Sequence, residues 1–349
     1  MKQLMFLISG SFFLISCTQK NIPDVSSIEI KLETKRFEQD FFSMDTSNLT
    51  ESMGSLFKKY PHFTQDFIFN ILGLDPDSLL IPDNDQQQAV RIFIHDYKPI
   101  KDSAYVIFKN FSKETAEIKR AFQFVKYYFP KYKLPTSIIT FIGPLNANFQ
   151  TSFGTQSDIL TPVALGIGLQ LHLGNEFSFY QSPAGQALYP DYISNNFDAA
   201  HIPVNSMRII IDDMYPDKST GRPLLDQIVE RGRKMYLLSQ FLPGTPDYIN
   251  MGYTETQMKA AYENEAVIWN FFLSNDLLNN SEQDMIKNYI GESPKTREFG
   301  DNSPGNLGTF SGLQIVRKYV SKFPGTTLDS LMKMAPAEVY SLSKYKTKN

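Results

Sequence analysis

The feature that most constrains this chain is its one cysteine, Cys17, set directly behind a short apolar segment at the N-terminus. Lys2 opens that segment with positive charge, and the apolar run covers residues 4–15, interrupted by Ser9, Gly10 and Ser11. A bilayer-spanning helix needs about 20 apolar residues, so this run reads as an export signal that is removed. Leu14-Ile15-Ser16-Cys17 places an aliphatic side chain three residues before the cysteine's amide and a small one just before it. That is the pattern at which lipoprotein signals are cut and the thiol is acylated. Residues 1–16 are therefore expected to be a signal peptide, and Cys17 the lipidated N-terminus of the mature chain. An exported chain with a solitary cysteine has no internal disulfide, so its fold must be held by packing and polar contacts. Two or three acyl chains give stable attachment where one gives only marginal binding. Residues 17–27 are polar, contain Pro23 and lack apolar periodicity, which predicts a short tether.

Loss of residues 1–16 leaves 33 Lys and Arg against 37 Asp and Glu, a net charge near −4. No basic run is present, and phosphate recognition needs clustered Lys and Arg, so nucleic acid is excluded as an expected partner. The membrane, through the acyl chains, and other envelope proteins are the expected ones. With 28 Phe and 18 Tyr the chain can fill a large core. No repeat of fixed period and no low-complexity linker interrupts it, and residues 28–349 are expected to form one domain.

Apolar periodicity supplies the elements. Residues 27–35 alternate through Ile28, Ile30 and Leu32, predicting a strand. Residues 36–44 and 49–72 read as helical, the second punctuated by Pro61, and residues 86–97 as another helix. Ile118, Phe122, Val125 and Phe129 share one face of a helix over residues 112–129. Residues 137–142 and 164–173 read as strands, and residues 146–154 as a loop. Beyond Pro203 helices return, with stripes at Met207, Ile210, Ile211 and Met214, and at Leu225, Ile228, Val229, Gly232 and Tyr236. Thr254 with Gln257 three residues on is a capping-box signature, and residues 307–323 and 328–334 close the set. The expected class is α+β, predominantly helical around a small central sheet.

The C-terminal half resembles the gliding-motility lipoprotein GldB family of Bacteroidota. The likeness is carried by Leu224-Leu225-Asp226-Gln227-Ile228-Val229-Glu230-Arg231-Gly232-Arg233-Lys234-Met235-Tyr236-Leu237 and by Gly252-Tyr253-Thr254. It continues in Glu263-Asn264-Glu265-Ala266-Val267-Ile268-Trp269, Ser303-Pro304-Gly305-Asn306-Leu307-Gly308 and Gly312-Leu313-Gln314-Ile315-Val316-Arg317. The resemblance implies a role in surface gliding and the associated type IX secretion apparatus, in a periplasm-facing, lipid-anchored position. It supplies no biochemical activity. The family is also similar to a zincin-like group related to metallopeptidases, which implies a degenerate form of that scaffold.

Zinc peptidases need two imidazoles one helical turn apart and a carboxylate to activate the bound water. Glu230 is the best match to the third ligand, and counting back 20 and 24 residues from it reaches Ile210 and Ser206, neither a zinc ligand. His62, His95, His172 and His201 are scattered, and no His-Glu-x-x-His occurs. Neither a metal site nor any other cofactor site is expected. Glu230 is expected on a solvated face, paired with Lys234 four residues on, and Arg208 with Asp212 likewise. Glu265 falls within the apolar stripe of Met258, Ala261, Ile268, Trp269 and Phe272, so its carboxylate must find a partner, with Arg317 a candidate. Asp212, Asp213, Asp217 and Glu255 lack the spacing of a calcium loop. Ser152-Phe153-Gly154 does not fit Gly-x-Ser-x-Gly, and Gly166 and Gly168 lack a third glycine, which favours close packing in a strand.

The expected function is a non-catalytic, lipid-tethered component of the gliding and secretion machinery, acting through protein contacts. An envelope hydrolase with an unconventional carboxylate site, Glu230 with Glu265, is the alternative. A glycan-binding lipoprotein is a third reading, motivated by Tyr and Asn in residues 180–197.

Overall fold

A computed structural model describes residues 22–82, 84–300 and 303–347. The signal segment, Cys17 and the start of the tether lie outside the described residues. Among the described residues there are six strands: β1 (Glu33–Arg36), β2 (Ser137–Phe141), β3 (Phe149–Thr151), β4 (Gly154–Gln156), β5 (Ile159–Leu160) and β6 (Ala164–Gly168). Four of them form a mixed sheet in the order β1-β2-β6-β5, with β1 and β6 parallel to β2 and β5 antiparallel to β6. β3 and β4 form a separate antiparallel hairpin.

In β2, Ile138, Ile139, Thr140 and Phe141 are all buried. A parallel strand covered on both faces reads as such a continuous run rather than an alternation. Side chains alternate between faces, and the two faces feed different cores. Ile138, Leu165 and Ile167 join the larger core, whereas Ile139, Phe141 and Ala164 join the smaller one. Gly166 and Gly168 pack closely within the sheet as expected. A Cβ on Gly166 would stand 2.6 Å from Ile159 Cγ1, and one on Gly168 would stand 2.6 Å from Ser157 Cβ.

The smaller core is built by helices N-terminal to β2, namely α1 (Phe37–Phe42), α2 (Leu49–Lys59), α3 (Pro61–Asp66) and α4 (Asp85–Asp96), whereas α5 (Lys98–Ile107) and α6 (Ser112–Tyr128) turn into the larger core. Phe37 stands at its centre, with Tyr60, Phe63 and Phe67 edge-on at 5.2, 5.0 and 4.9 Å between ring centroids. Such edge-to-face contacts favour the pair by about 0.5–1.5 kcal/mol beyond burial. Between β1, α1 and β2 lies a buried ion pair: Arg36 Nε is 2.7 Å from Glu38 Oε1, and Thr140 Oγ1 donates to Glu38 Oε2 at 2.6 Å. Burial pushes the Glu38 carboxyl above its usual range, and the Arg36 charge opposes that shift.

The larger core is assembled from α7 (Pro183–Leu188), α8 (Asp191–Ser194), α9 (Ile202–Met214), α10 (Leu224–Phe241), α11 (Asp247–Met251), α12 (Glu255–Glu263), α13 (Glu265–Ser274), α14 (Gln283–Ile290), α15 (Leu307–Lys322), α16 (Leu328–Lys333) and α17 (Pro336–Ser343). Its spine is the crossing of α10 and α15. A Cβ on Gly312 would lie 1.9 Å from the Ile228 carbonyl oxygen, and one on Gly232 would lie 2.1 Å from the Gly312 carbonyl carbon. The two backbones therefore touch where both side chains are missing. No helix among the described residues is long and apolar enough to cross a membrane.

The helix-rich α+β class is as expected, but several elements differ. Of the segment 27–35 only residues 33–35 join a ladder, which runs on to Arg36; Ile28, Ile30 and Leu32 pack against the larger core without strand partners. The expected tether is shorter too. Val25 is fully buried, and the Ile28 N–H donates to the Val25 carbonyl at 3.0 Å. The body thus begins by about Asp24. The helix expected over residues 49–72 is broken by Pro61 into α2 and α3, followed by a π turn over Phe67–Ile71. Residues 146–154 carry β3 and the start of β4, and the strand expected over residues 164–173 ends at Gly168. The helix opened by the Thr254 capping box stops at Glu263, and α13 starts afresh at Glu265.

Gly312→Ala should destabilise the protein by about 3 kcal/mol or more, at or above the usual cost of overpacking. Urea unfolding checks this, and a loss below about 1 kcal/mol would mean that the two backbones do not meet.

Candidate functional site

α10 lies inside the larger core with buried residues on every side, including Ile228, Glu230, Arg233, Lys234 and Leu238. Its charged groups therefore need internal partners. Lys234 is fully buried; its Nζ donates to Asp212 Oδ1 at 2.8 Å and to Ser152 Oγ at 3.0 Å. The Ser152 hydroxyl in turn donates to Asp212 Oδ1, and its backbone N–H donates to Oδ2 at 2.9 Å. Ser152 is in the turn between β3 and β4, Asp212 on α9 and Lys234 on α10. The three groups pin the hairpin to both helices. One residue earlier, Arg233 is ion-paired with Glu230 and donates to the carbonyls of Leu331, at 3.2 Å, and Met334.

Two expected pairs are thus corrected. Glu230 is buried and held by Arg233 rather than solvated beside Lys234, because both residues lie on sides of α10 that the core covers. Asp212 is held by Lys234 and Ser152, not by Arg208. The Arg208 guanidinium donates to the Asn250 carbonyl at 2.7 Å and to Asn205 Oδ1 at 3.4 Å, and lies over the Phe153 ring at 5.5 Å. Burial draws its pKa down to about 10, while Glu292 and Asp212 raise it, so it remains a cation at neutral pH.

Arg208 borders a cavity of about 310 Å³ beneath the hairpin, together with Ser152, Phe153, Arg231, Glu292 and Thr309. Arg231 is 3.7 Å from Asp217, with 22 % of its side chain exposed. Glu292 accepts from the Thr155 N–H at 3.1 Å and the Thr155 hydroxyl at 2.8 Å. A wider cleft of about 770 Å³ adjoins, sharing Arg208, Phe153, Glu292 and Asn306 and passing over Tyr192 and Asn195. Both volumes fall in the usual range of small-molecule sites. Gly252, Tyr253, Thr254, Pro304, Gly305 and Asn306, which carry the family resemblance, all line the cleft. The Tyr253 hydroxyl joins the two segments by donating to the Gly305 carbonyl at 2.7 Å.

Sequence reasoning singled out neither Glu292 nor the cavity face of Arg208. The available signal was the family segments themselves, which mark the wall of the cleft. Other candidates lie elsewhere. Glu265 is half-buried and accepts from the Tyr345 hydroxyl at 2.7 Å. Its expected partner Arg317 instead contacts Asp247 and the Tyr262 hydroxyl, both at 2.7 Å. Glu230 and Glu265 are therefore held by separate partners, not joined in one site. Asp213 accepts from Tyr132 at 2.7 Å, Asp217 from the Ser219 hydroxyl at 2.6 Å, and Glu255 is exposed at the start of α12. His172 and His201 contact Asp158 at 3.2 Å and Asp198 at 2.8 Å, while His62 and His95 are exposed. At the positions counted back from Glu230, Ser206 donates to the Ile202 carbonyl at 2.8 Å and Ile210 is core. Among the described residues, no three His, Cys, Asp or Glu side chains are grouped to hold a metal ion. Tyr180, Tyr189 and Phe197 are buried against one another, so those aromatics of residues 180–197 belong to the core.

The geometry of the Lys234 cluster predicts an asymmetry. Asp212→Ala leaves a buried ammonium without its carboxylate and should cost about 3–5 kcal/mol. Lys234→Met fills the same space without charge and leaves Asp212 partly hydrated, so it should cost less. Denaturant unfolding of the two variants checks the order, and a costlier Lys234→Met would refute this account of the cluster.

No curated protein and no solved structure matches the chain. The model of the family described as gliding motility protein GldB matches residues 18–347, from the tether to the last turn after α17. The segments that line the cleft and those that cross at Gly232 and Gly312 fall within one match, and the chain belongs to the gliding motility protein GldB family.

Proposed function

We propose that this gliding-motility lipoprotein works by protein contact rather than by turning over a substrate, as part of the gliding and type IX secretion machinery on a periplasm-facing membrane surface. The observation that carries the non-catalytic reading is the Asp212–Ser152–Lys234 cluster. A serine beside a lysine is a known nucleophile–base arrangement, but it requires a neutral amine. Here Nζ donates to Asp212 at 2.8 Å and to Ser152 at 3.0 Å, and the serine's own hydrogen goes to Asp212, so the amine presents no acceptor to the hydroxyl. The three groups act as a latch.

Placement at a membrane follows from the short tether. With Val25 already in the core, the eight residues from Cys17 to Asp24 span at most about 29 Å. A body held so close meets partners at that surface. Tyr105, Val106 and Ile107 at the end of α5 leave three successive apolar side chains exposed, Val106 by 78 %, which suits a contact surface better than a free one. The hydrolase alternative finds less support, since Glu230 and Glu265 are each committed elsewhere.

Deletion of the gene should abolish surface spreading and secretion, and Cys17→Ala should remove the protein from the membrane fraction. Ser152→Ala should restore spreading to the deletion strain, losing about 1 kcal/mol of stability with its hydrogen bonds. Loss of spreading by folded, normally abundant Ser152→Ala protein would overturn the non-catalytic reading.

A further inference from the structure

Arg208 is a largely buried cation whose hydrogen-bond partners are all neutral. Its nitrogens reach the Asn250 carbonyl and Asn205 Oδ1, its Nε has no hydrogen-bond partner, and no carboxylate among the described residues lies within ion-pairing distance of it. Other buried cations of this core differ: Lys234 has Asp212, and Arg233 has Glu230. An unpaired buried charge costs several kcal/mol, and Arg208 opens onto both the small cavity and the wider cleft. We propose that this cleft binds a carboxylated sugar, whose carboxylate sits on Arg208 and whose hydroxyls meet the polar wall beyond.

Of the other charged groups lining the cleft, Asp198 contacts His201 and Asp191 accepts from Gln186, which leaves Arg208 as the lining group free to take one negative charge. Arg231, across the cavity, has Asp217 beside it. Glu292 is held by Thr155 at the rim and repels a second negative charge. One unanswered guanidinium matches one carboxylate, with which it forms a forked pair, better than it matches a phosphate dianion. The cleft beyond Arg208 is walled by Asn195, Asn196, Gln257 and Asn306, with Tyr192 and Tyr248. Side-chain amides carry donor and acceptor side by side, which suits neighbouring hydroxyls, and a tyrosine ring covers the apolar face of a sugar. Polar side chains outnumber Phe153, Ile249 and Met251 in the lining, which favours a hydroxylated ligand over an apolar peptide. The family segments at Gly252-Tyr253-Thr254 and Pro304-Gly305-Asn306 supply backbone to this wall. The site goes beyond the contact role above and depends on different residues.

The test titrates the full lipidated chain in detergent with D-glucuronate, D-galacturonate and N-acetylmuramate by calorimetry, with D-glucose, acetate and Ala-Ala as comparisons. At least one acidic sugar should bind, at least tenfold more tightly than glucose or acetate. Arg208→Gln should weaken it at least tenfold, with Arg208→Lys intermediate. Asn195 is exposed, so Asn195→Ala leaves the core intact and should weaken the sugar severalfold without affecting acetate. If the Arg208 variants fail to fold, Asn195→Ala and ligand-induced thermal stabilisation of the wild type carry the test. Three results would overturn the proposal: no acidic sugar binding, affinity within twofold in both Arg208→Gln and Asn195→Ala, or tighter binding of Ala-Ala than of every sugar.

Discussion

The contact on which most of this molecule depends is the one between Gly232 and Gly312. Two helices usually pack 8–10 Å apart, a distance set by the side chains between them. Here both helices present glycine at the crossing, and the backbones themselves meet. That approach draws α10 into the interior, where α9, α14, α15 and α17 cover it. A helix with no fully exposed residue has little solvent to offer its polar side chains. Glu230, Arg233 and Lys234 accordingly sit in the core and are met by a neighbour, the Leu331 and Met334 carbonyls, Asp212 and Ser152. The polar cluster is thus a consequence of the crossing as much as a feature in itself.

That consequence explains which parts of the chain were legible in advance. Elements with one wet face read correctly: α6 through Ile118, Phe122 and Val125, and α4 to within a residue or two at its ends. The central strand β2 was recognisable because burial on both faces leaves a continuous β-branched and aromatic run. α10 was found as a helix but misread in its surroundings, because the stripe at Leu225, Ile228, Val229 and Tyr236 implied an opposite face in water. Periodicity identifies a helix and one buried side; it does not report that the other side is buried too. The mistaken pairing of Arg208 with Asp212 has the same root, since spacing along one helix is blind to a lysine arriving from the next.

Failures at the ends of elements have a different cause. Residues 28–32 alternate like a strand, yet a ladder needs a neighbouring edge, and β2 offers one only to residues 33–36. The hairpin of β3 and β4 was hidden because its strands are three residues each and face solvent, leaving little pattern to read. α17, which packs on both α10 and α15, begins at Pro336 with a first turn preorganised by proline. It is too short for its periodicity to stand out.

The cleft shows how a recognisable motif and an unrecognised site can be the same residues. Gly252 ends α11 in the left-handed conformation at φ 72°, a position that favours glycine. Its carbonyl accepts from Asn196 at 3.4 Å, and the next residue, Tyr253, reaches Gly305. Three segments distant in sequence are thereby fixed to one another largely through backbone groups. In a chain with one cysteine, no disulfide is available to hold such a wall, so hydrogen bonds anchored by buried side chains must do it. A wall set by backbone leaves its polar side chains free to face the opening. Arg208 stands at its inner end, where its hydrogen bonds go to neutral acceptors and Glu292 and Asp212 act on it only from beyond ion-pairing distance. The scaffold elsewhere meets its buried cations with carboxylates of its own. The exception falls where the interior opens to solvent through the small cavity and the wider cleft, and the proposed carboxylate would answer it there.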